Sequence, residues 1–295
     1  MPVLVLVGAS LSPSATRAAR GQLVAPPALR FERVDTTYGF PQSSTYGLVE
    51  QTNGYLWATT LDGLVRFDGF ARRIHDRNTD PGILTTRMTA LFAHEPTGDL
   101  WIGTEDGRVI RKRGDAFSTL FEPRVAQKGV TGVAVSDDGR RLFVADDSGL
   151  QELQIVDDAR PVVEPGRKHP GISRYSCNTA VVGARQLGYV SDGELVALPL
   201  PAPLVDKTDQ ISCRGNHHGI LWLRAPGTEL YRVDDDQITV EPRSAEIPAS
   251  AQPMLEDADG NLWLRFGGLP HLARLDPAGN ITRYGERHGL DPLAD

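Results

Sequence analysis

The chain has 295 residues, 40% of them hydrophobic, and a formal net charge of −7. That apolar content is enough for a sizeable core, while the acidic balance and the lack of any Lys/Arg stripe argue against nucleic acid as a partner. No apolar run approaches the ~20 residues needed to span a bilayer as a helix, so any membrane attachment would come through sequence outside this chain.

The first segment is Val3-Leu4-Val5-Leu6-Val7-Gly8-Ala9, followed by small residues through Ala18-Ala19. It has the apolar and small-residue regions of a secretory signal but lacks the basic residues that normally precede them. The alternative is a disordered tail. Pro26-Pro27 marks the boundary, so residues 1–25 are read as signal-like or disordered and 26–295 as one folded domain.

Phe31-Glu32-Arg33-Val34 alternates like a short strand, and Tyr38 to Ser44 reads as a loop. Thr45 to Gln51 then forms an inner strand, a second strand carries Trp57, a third runs from Leu64 to Phe67, and Ala71 to His75 makes the outer one. Turn glycines separate them, because glycine reaches positive φ at little cost. The unit recurs through Gly98-Asp99-Leu100-Trp101, Gly139 with Leu142-Phe143-Val144, a worn copy at Gly183, Gly219-Ile220-Leu221-Trp222 and Gly260-Asn261-Leu262-Trp263. Successive glycines lie 44, 41, 44, 36 and 41 residues apart. A period near 40 with four short strands per unit predicts an all-β fold, a β-propeller of four-stranded antiparallel blades. Outer strands are expected near Phe117, Ile238 and Ile281. Glu164 to Pro170 reads as a loop, and the proline run Leu198 to Pro203 as an outer edge or an inter-blade connection.

Ile281 to Leu290 matches Phe31 to Phe40 position by position at an offset of 250 residues, which is six units. Phe31–Val34 is therefore expected to be an outer strand whose inner strands lie elsewhere. Six blades are visible, part of a seven-bladed ring truncated before closure. A closed six-bladed ring with an extra edge strand is the alternative.

The loop Gly39-Phe40-Pro41-Gln42-Ser43-Ser44, followed by Gly54-Tyr55-Leu56-Trp57-Ala58-Thr59-Thr60-Leu61-Asp62-Gly63-Leu64, resembles the two-component regulator propeller family. Thr97–Gly107 and Glu256–Trp263 carry the same pattern, while units three and four have lost the Trp. The resemblance implies a periplasmic input module of a transmembrane receptor, either a histidine kinase or a diguanylate cyclase, with no catalysis in this region. It implies no cofactor. The partner would be a small or glycan-like ligand, or another propeller of the same receptor, with a homodimer left open. A propeller enzyme similar to virginiamycin B lyase and a pure interaction scaffold are the competing readings.

Ligand contacts are expected in the returns from an outer strand to the next inner strand, at Tyr38, Gln42, Arg87, Arg174, Tyr175, Gln210 and Gln252. Each taken alone reads more simply as surface. The column Trp57, Trp101, Phe143, Trp222 and Trp263 reads as packing between blades. A second column holds Leu48, Phe92, Val133, Cys177, Cys213 and Met254, expected to be core. Its two cysteines are either small buried hydrophobes or, in an exported chain, a disulfide. His217-His218 and Asp234-Asp235-Asp236 read as solvated turns. Adjacent histidines on a strand face opposite sides, and the calcium-loop spacing is missing. No metal site is expected, and no catalytic motif is present.

Overall fold

The computed structural model describes residues 4–5 and 29–290, apart from 122–128, 147–148, 157–162, 170–174, 177–179, 183–184, 192–193, 216–220, 235–236, 244–246, 249, 258 and 267–271. It is a β-propeller of six four-stranded sheets, each ordered from inner to outer strand in sequence order. Blade one is Gly47–Glu50, Leu56–Thr60, Gly63–Phe67 and Arg72–His75. Blade two is Met88–His94, Asp99–Thr104, Val109–Arg113 and Ala116–Phe121. Blade three is Gly132–Val135, Arg141–Asp146, Gly149–Ile155 and Val163–His169. Blade four is Tyr175–Ser176, Ala180–Val182, Gln186–Ser191 and Glu194–Pro199. Blade five is Ser212–Gly215, Leu221–Arg224, Tyr231–Asp234 and Gln237–Val240. Blade six is Ala251–Glu256, Leu262–Phe266, Leu272–Leu275 and Ile281–Tyr284. Gly54, Gly98, Gly139 and Gly260, which close the first turn of four blades, all have φ between 71° and 82°, where a side chain is strained.

Three of the four tryptophans lock their blade to the next. Trp57 shares a buried cluster with Leu100 and Ile102 of blade two. Trp101 clusters with Val133, Leu142 and Val144 of blade three, and Trp222 with Leu262 and Leu264 of blade six. All four tryptophans are at most 4% exposed. Each lies directly across from an arginine of the third strand: Arg66, Arg111, Arg232 and Arg274. Arg111 and Arg232 lay their guanidinium groups 5.7 and 5.8 Å from the ring centres of Trp101 and Trp222, within cation–π range. Arg111 is itself buried, at 5% exposure, so its charge is held among the packed strands.

Two sequence expectations need correction. The segment around Glu164 is not a loop: Val163–His169 is the outer strand of blade three. An outer strand pairs on one edge only, so Pro165 is tolerated there, and a register shift next to it absorbs the mismatch. The proline run Leu198–Pro203 does end the outer strand of blade four and leads into the short helix Ala202–Val205. The second correction concerns Leu48, which was expected in the core. It is 38% exposed, while Val133 in the same column is 2% exposed. A Cβ on Gly47 would meet Leu91 Cβ at 2.8 Å, so Gly47 faces blade two, and Val49 packs into the cluster between blades one and two. Alternation along the strand turns Leu48 the other way, toward the seam between blades six and one.

That seam is built differently from the others. The match between Phe31–Phe40 and Ile281–Leu290 is structural as well as sequential. Both segments end in a 3-10 turn, Thr36–Tyr38 or Glu286–His288, followed by a left-handed glycine, Gly39 or Gly289. Phe31 packs on Trp263, Leu272, Tyr284 and Leu290 of blade six, and its amide donates to His288 O at 2.7 Å. Val34 and Phe40 pack instead on Ala58 and Val65 of blade one. The segment thus fills the outer part of the seam and touches both flanking blades. Inner strands of blades one and two, two and three, and five and six pack extensively on each other; among the described residues those of blades three and four touch only slightly, and neither blades four and five nor blades six and one show comparable inner-strand packing.

Candidate functional site

One end of the ring is laced together by backbone bonds between the returns and the turns that join second to third strands. Leu61 N donates to Gln42 Oε1 at 3.0 Å. Gly63 N donates to Thr86 O, Glu105 N to Arg87 O, and Val130 N to Thr104 O. These bonds fix a rigid mouth over blades one to three. Tyr46, at 52% exposure, opens onto it. The Arg87 side chain is about half exposed, as is that of Glu105, and the two form an ion pair in which Nη2 donates to Oε1 at 2.9 Å. Glu105 raises the pKa of Arg87, with a smaller contribution from Tyr46, and Arg87 in turn lowers that of Glu105. Both groups are charged at neutral pH. An aromatic face beside a solvated guanidinium–carboxylate pair suits a polar ligand with an apolar face and several hydroxyls.

The residues read from the sequence do not converge on one pocket. Arg87 stands at the mouth. The carbonyl oxygen of Gln42 is spent on Leu61, so Gln42 shapes the turn. Tyr38 is 45% exposed, and its hydroxyl donates to Glu32 at 2.8 Å, on the seam rather than the mouth. Gln210 is exposed in the 3-10 turn Thr208–Gln210. Gln252 sits on the inner strand of blade six, where its buried Oε1 has no hydrogen-bond partner. Tyr175 lies on the inner strand of blade four, and Arg174 falls outside the described residues. Tyr46 and Glu105 were not picked from the sequence. Tyr46 was read as an inner-strand residue.

Cys177, His217, His218, Asp235 and Asp236 also lie outside the described residues, and Cys213 is placed only as part of the inner strand of blade five. If both cysteines are reduced and buried, they should resist a thiol reagent in the native protein and react two per chain in denaturant without reductant. No reaction under those conditions would show a bridge.

One buried polar pair is prominent outside the mouth. His75 Nδ1 and Asp80 Oδ2 lie 2.9 Å apart at the seam between blades one and two, both nearly buried. Trp57 and Phe117 flank the imidazole. Burial pushes the His75 pKa below the ordinary 6.5, against the opposing pull of Asp80. The unfolded chain then takes up a proton before the folded one as pH falls below 6.5, so the folded state loses stability across that window. Between about pH 7.5 and 5.5 the wild type should lose more unfolding free energy than His75→Gln. Parallel slopes from denaturant melts would remove His75 as the source.

Among the described residues, no group of three or more His, Cys, Asp or Glu is placed to hold a metal ion, and no helix is long and apolar enough to cross a membrane. No protein-family model and no curated protein matches the chain. Solved structures do. Virginiamycin B lyase from Staphylococcus aureus, in a catalytically inactive form with quinupristin, superposes with a TM-score of 0.58 at 15% identity, over 82% of this chain and 84% of that one. The extracellular domain of the putative hybrid two component system BT3049 from B. thetaiotaomicron gives 0.59 at 17% identity, over 87% of this chain and 37% of that one. PorZ, a surface component of the type-IX secretion system of Porphyromonas gingivalis, gives 0.55 at 15% identity, over 85% and 33%. At these identities the likeness establishes the propeller and no more.

Proposed function

We propose that this chain is an extracytoplasmic sensing propeller, the input module of a transmembrane signalling receptor of the histidine kinase or diguanylate cyclase type. The observation that carries the reading is the repeat motif itself. The stretch from Gly39 to Leu64 that resembles regulator propellers builds the first blade and the mouth beside it. The BT3049 likeness supports the same reading. The ligand would be a small, hydroxyl-rich molecule such as a glycan fragment, held at the mouth by Tyr46, Arg87 and Glu105, or the surface would meet a second propeller of the receptor. Export to the periplasm is part of the proposal, and fusing residues 1–60 to alkaline phosphatase, active only outside the cytoplasm, tests it.

The binding test is a thermal-shift screen with oligosaccharides and small metabolites. A hit whose shift is lost in Arg87→Ala with the unliganded melting temperature unchanged supports the mouth. A hit unaffected by Arg87→Ala or Tyr46→Ala overturns that placement. The lyase reading has its own support in the superposition over most of both chains. Incubation with quinupristin and a divalent cation, followed by mass spectrometry, separates the two. A new product formed from quinupristin would replace the sensor reading with the enzyme.

A further inference from the structure

We infer that the seam between blades six and one is the slot for three further strands of this chain's own repeat, presented in continuation of Leu290, and that Phe31–Val34 is the outer strand of that seventh blade. Phe31 points back to blade six and Val34 forward to blade one. In blade six the corresponding outer-strand residues divide the same way. Ile281 packs back against the blade-five side, and Tyr284 packs forward, into the seam. A decoration on a closed six-bladed ring has no reason to reproduce this division.

Two further observations come from the residues that such strands would cover. Leu48, on the inner strand of blade one, is 38% exposed on the side facing the slot. Leu290 and Phe40 occupy equivalent repeat positions yet sit in separate clusters, one on each wall. A single six-bladed closure would bring both to one place; a seventh blade keeps them apart. The edge of Glu32–Arg33 also accepts a strand. Leu4 pairs with Arg33 and Val5 with Glu32, antiparallel, in the position that Leu272–Leu275 holds beside Ile281–Tyr284 in blade six. An export signal is cleaved away, so an exported chain presents this edge bare, and a bare strand edge is a template for another strand. Continuation after Leu290 is the favoured source because that residue is in phase with Phe40, which leads directly into an inner strand. The bare edge rests on the export that belongs to the receptor reading; the division of Phe31 and Val34 between the two walls does not.

The test appends a copy of residues 41–68 after Leu290. A control copy has its apolar residues changed to serine. Thermal melting, sizing and amide hydrogen exchange are read on the unfused chain and on both fusions, each starting at residue 26 so that Leu4 and Val5 do not occupy the edge. The expected result is a melting temperature several degrees higher with the intact copy. Amides of residues 32–33 should exchange about ten-fold more slowly with it and not with the control. If the fusion does not fold, the segment supplied as a separate peptide should give the same protection. Equal exchange with and without the copy overturns the slot. So does slow exchange in the unfused chain when sizing shows a monomer, since six blades then close by themselves. Slow exchange in an unfused dimer assigns the slot to a second copy and overturns the proposed source.

Discussion

Trp101→Ala is expected to destabilise the propeller by ~3–5 kcal/mol, the range of large aromatic truncations in cores. Trp101 is 2% exposed and packs in the cluster that joins blades two and three, with Val109, Val133, Leu142 and Val144 around it. The cavity would lie between two sheets whose backbones are held by their own ladders, so little collapse can repair it. Trp101→Phe is expected to cost far less, about 1–2 kcal/mol. The indole nitrogen of Trp101 has no hydrogen-bond partner, so Phe forfeits area and part of the contact with the Arg111 guanidinium but no hydrogen bond. Trp263 differs: its Nε1 donates to Asp257 at 2.8 Å, and Phe there also loses that hydrogen bond, though Asp259 and Asn261 still donate to the carboxylate. Equilibrium denaturation of Trp101→Ala showing a change below about 1 kcal/mol would take the side chain out of the inter-blade core.

Much of this architecture could be read from the sequence because a propeller repeats its physics. The turn glycines and the Trp column recur at one spacing, and each must solve the same problem in each blade. The offset of 250 marked Phe31–Phe40 as the equivalent of Ile281–Leu290 for the same reason, and both segments end in a 3-10 turn and a left-handed glycine. What failed lay where position in the ring, rather than the repeat, sets the environment. Leu48 belongs to a core column, but it is 38% exposed on the side away from blade two. Pro165 and Gly166 suggested a loop, yet an outer strand needs only one paired edge. The mouth was hardest to read. Arg87 meets Glu105 through the fold, eighteen residues apart, and no spacing rule marks such a pair. Gln42 was chosen as a polar loop residue, and the turn consumed its polar group.

The seam can be probed by two substitutions that differ in one respect. Gly39 and Gly289 hold equivalent places, both left-handed, with φ of 78° and 92°. An alanine at either pays for that backbone conformation, about 1–2 kcal/mol. A Cβ on Gly39 would then meet the guanidinium of Arg72, the movable end of a long side chain. On Gly289 it would meet the backbone oxygen of Phe31 at 2.2 Å, and that oxygen cannot move without moving the strand. Phe31 is held by its amide bond to His288 O and by edge-on contact with Trp263 and Tyr284, at ring-centre distances of 6.1 and 5.3 Å. Gly289→Ala should therefore cost ~1–3 kcal/mol more than Gly39→Ala, the usual penalty of overpacking. It should also loosen the strand locally, so that trypsin cuts after Arg33 faster in Gly289→Ala than in Gly39→Ala or wild type under native conditions. Equal costs and equal cleavage would mean that Phe31 does not rest on blade six. The seam would then have to close by some other contact.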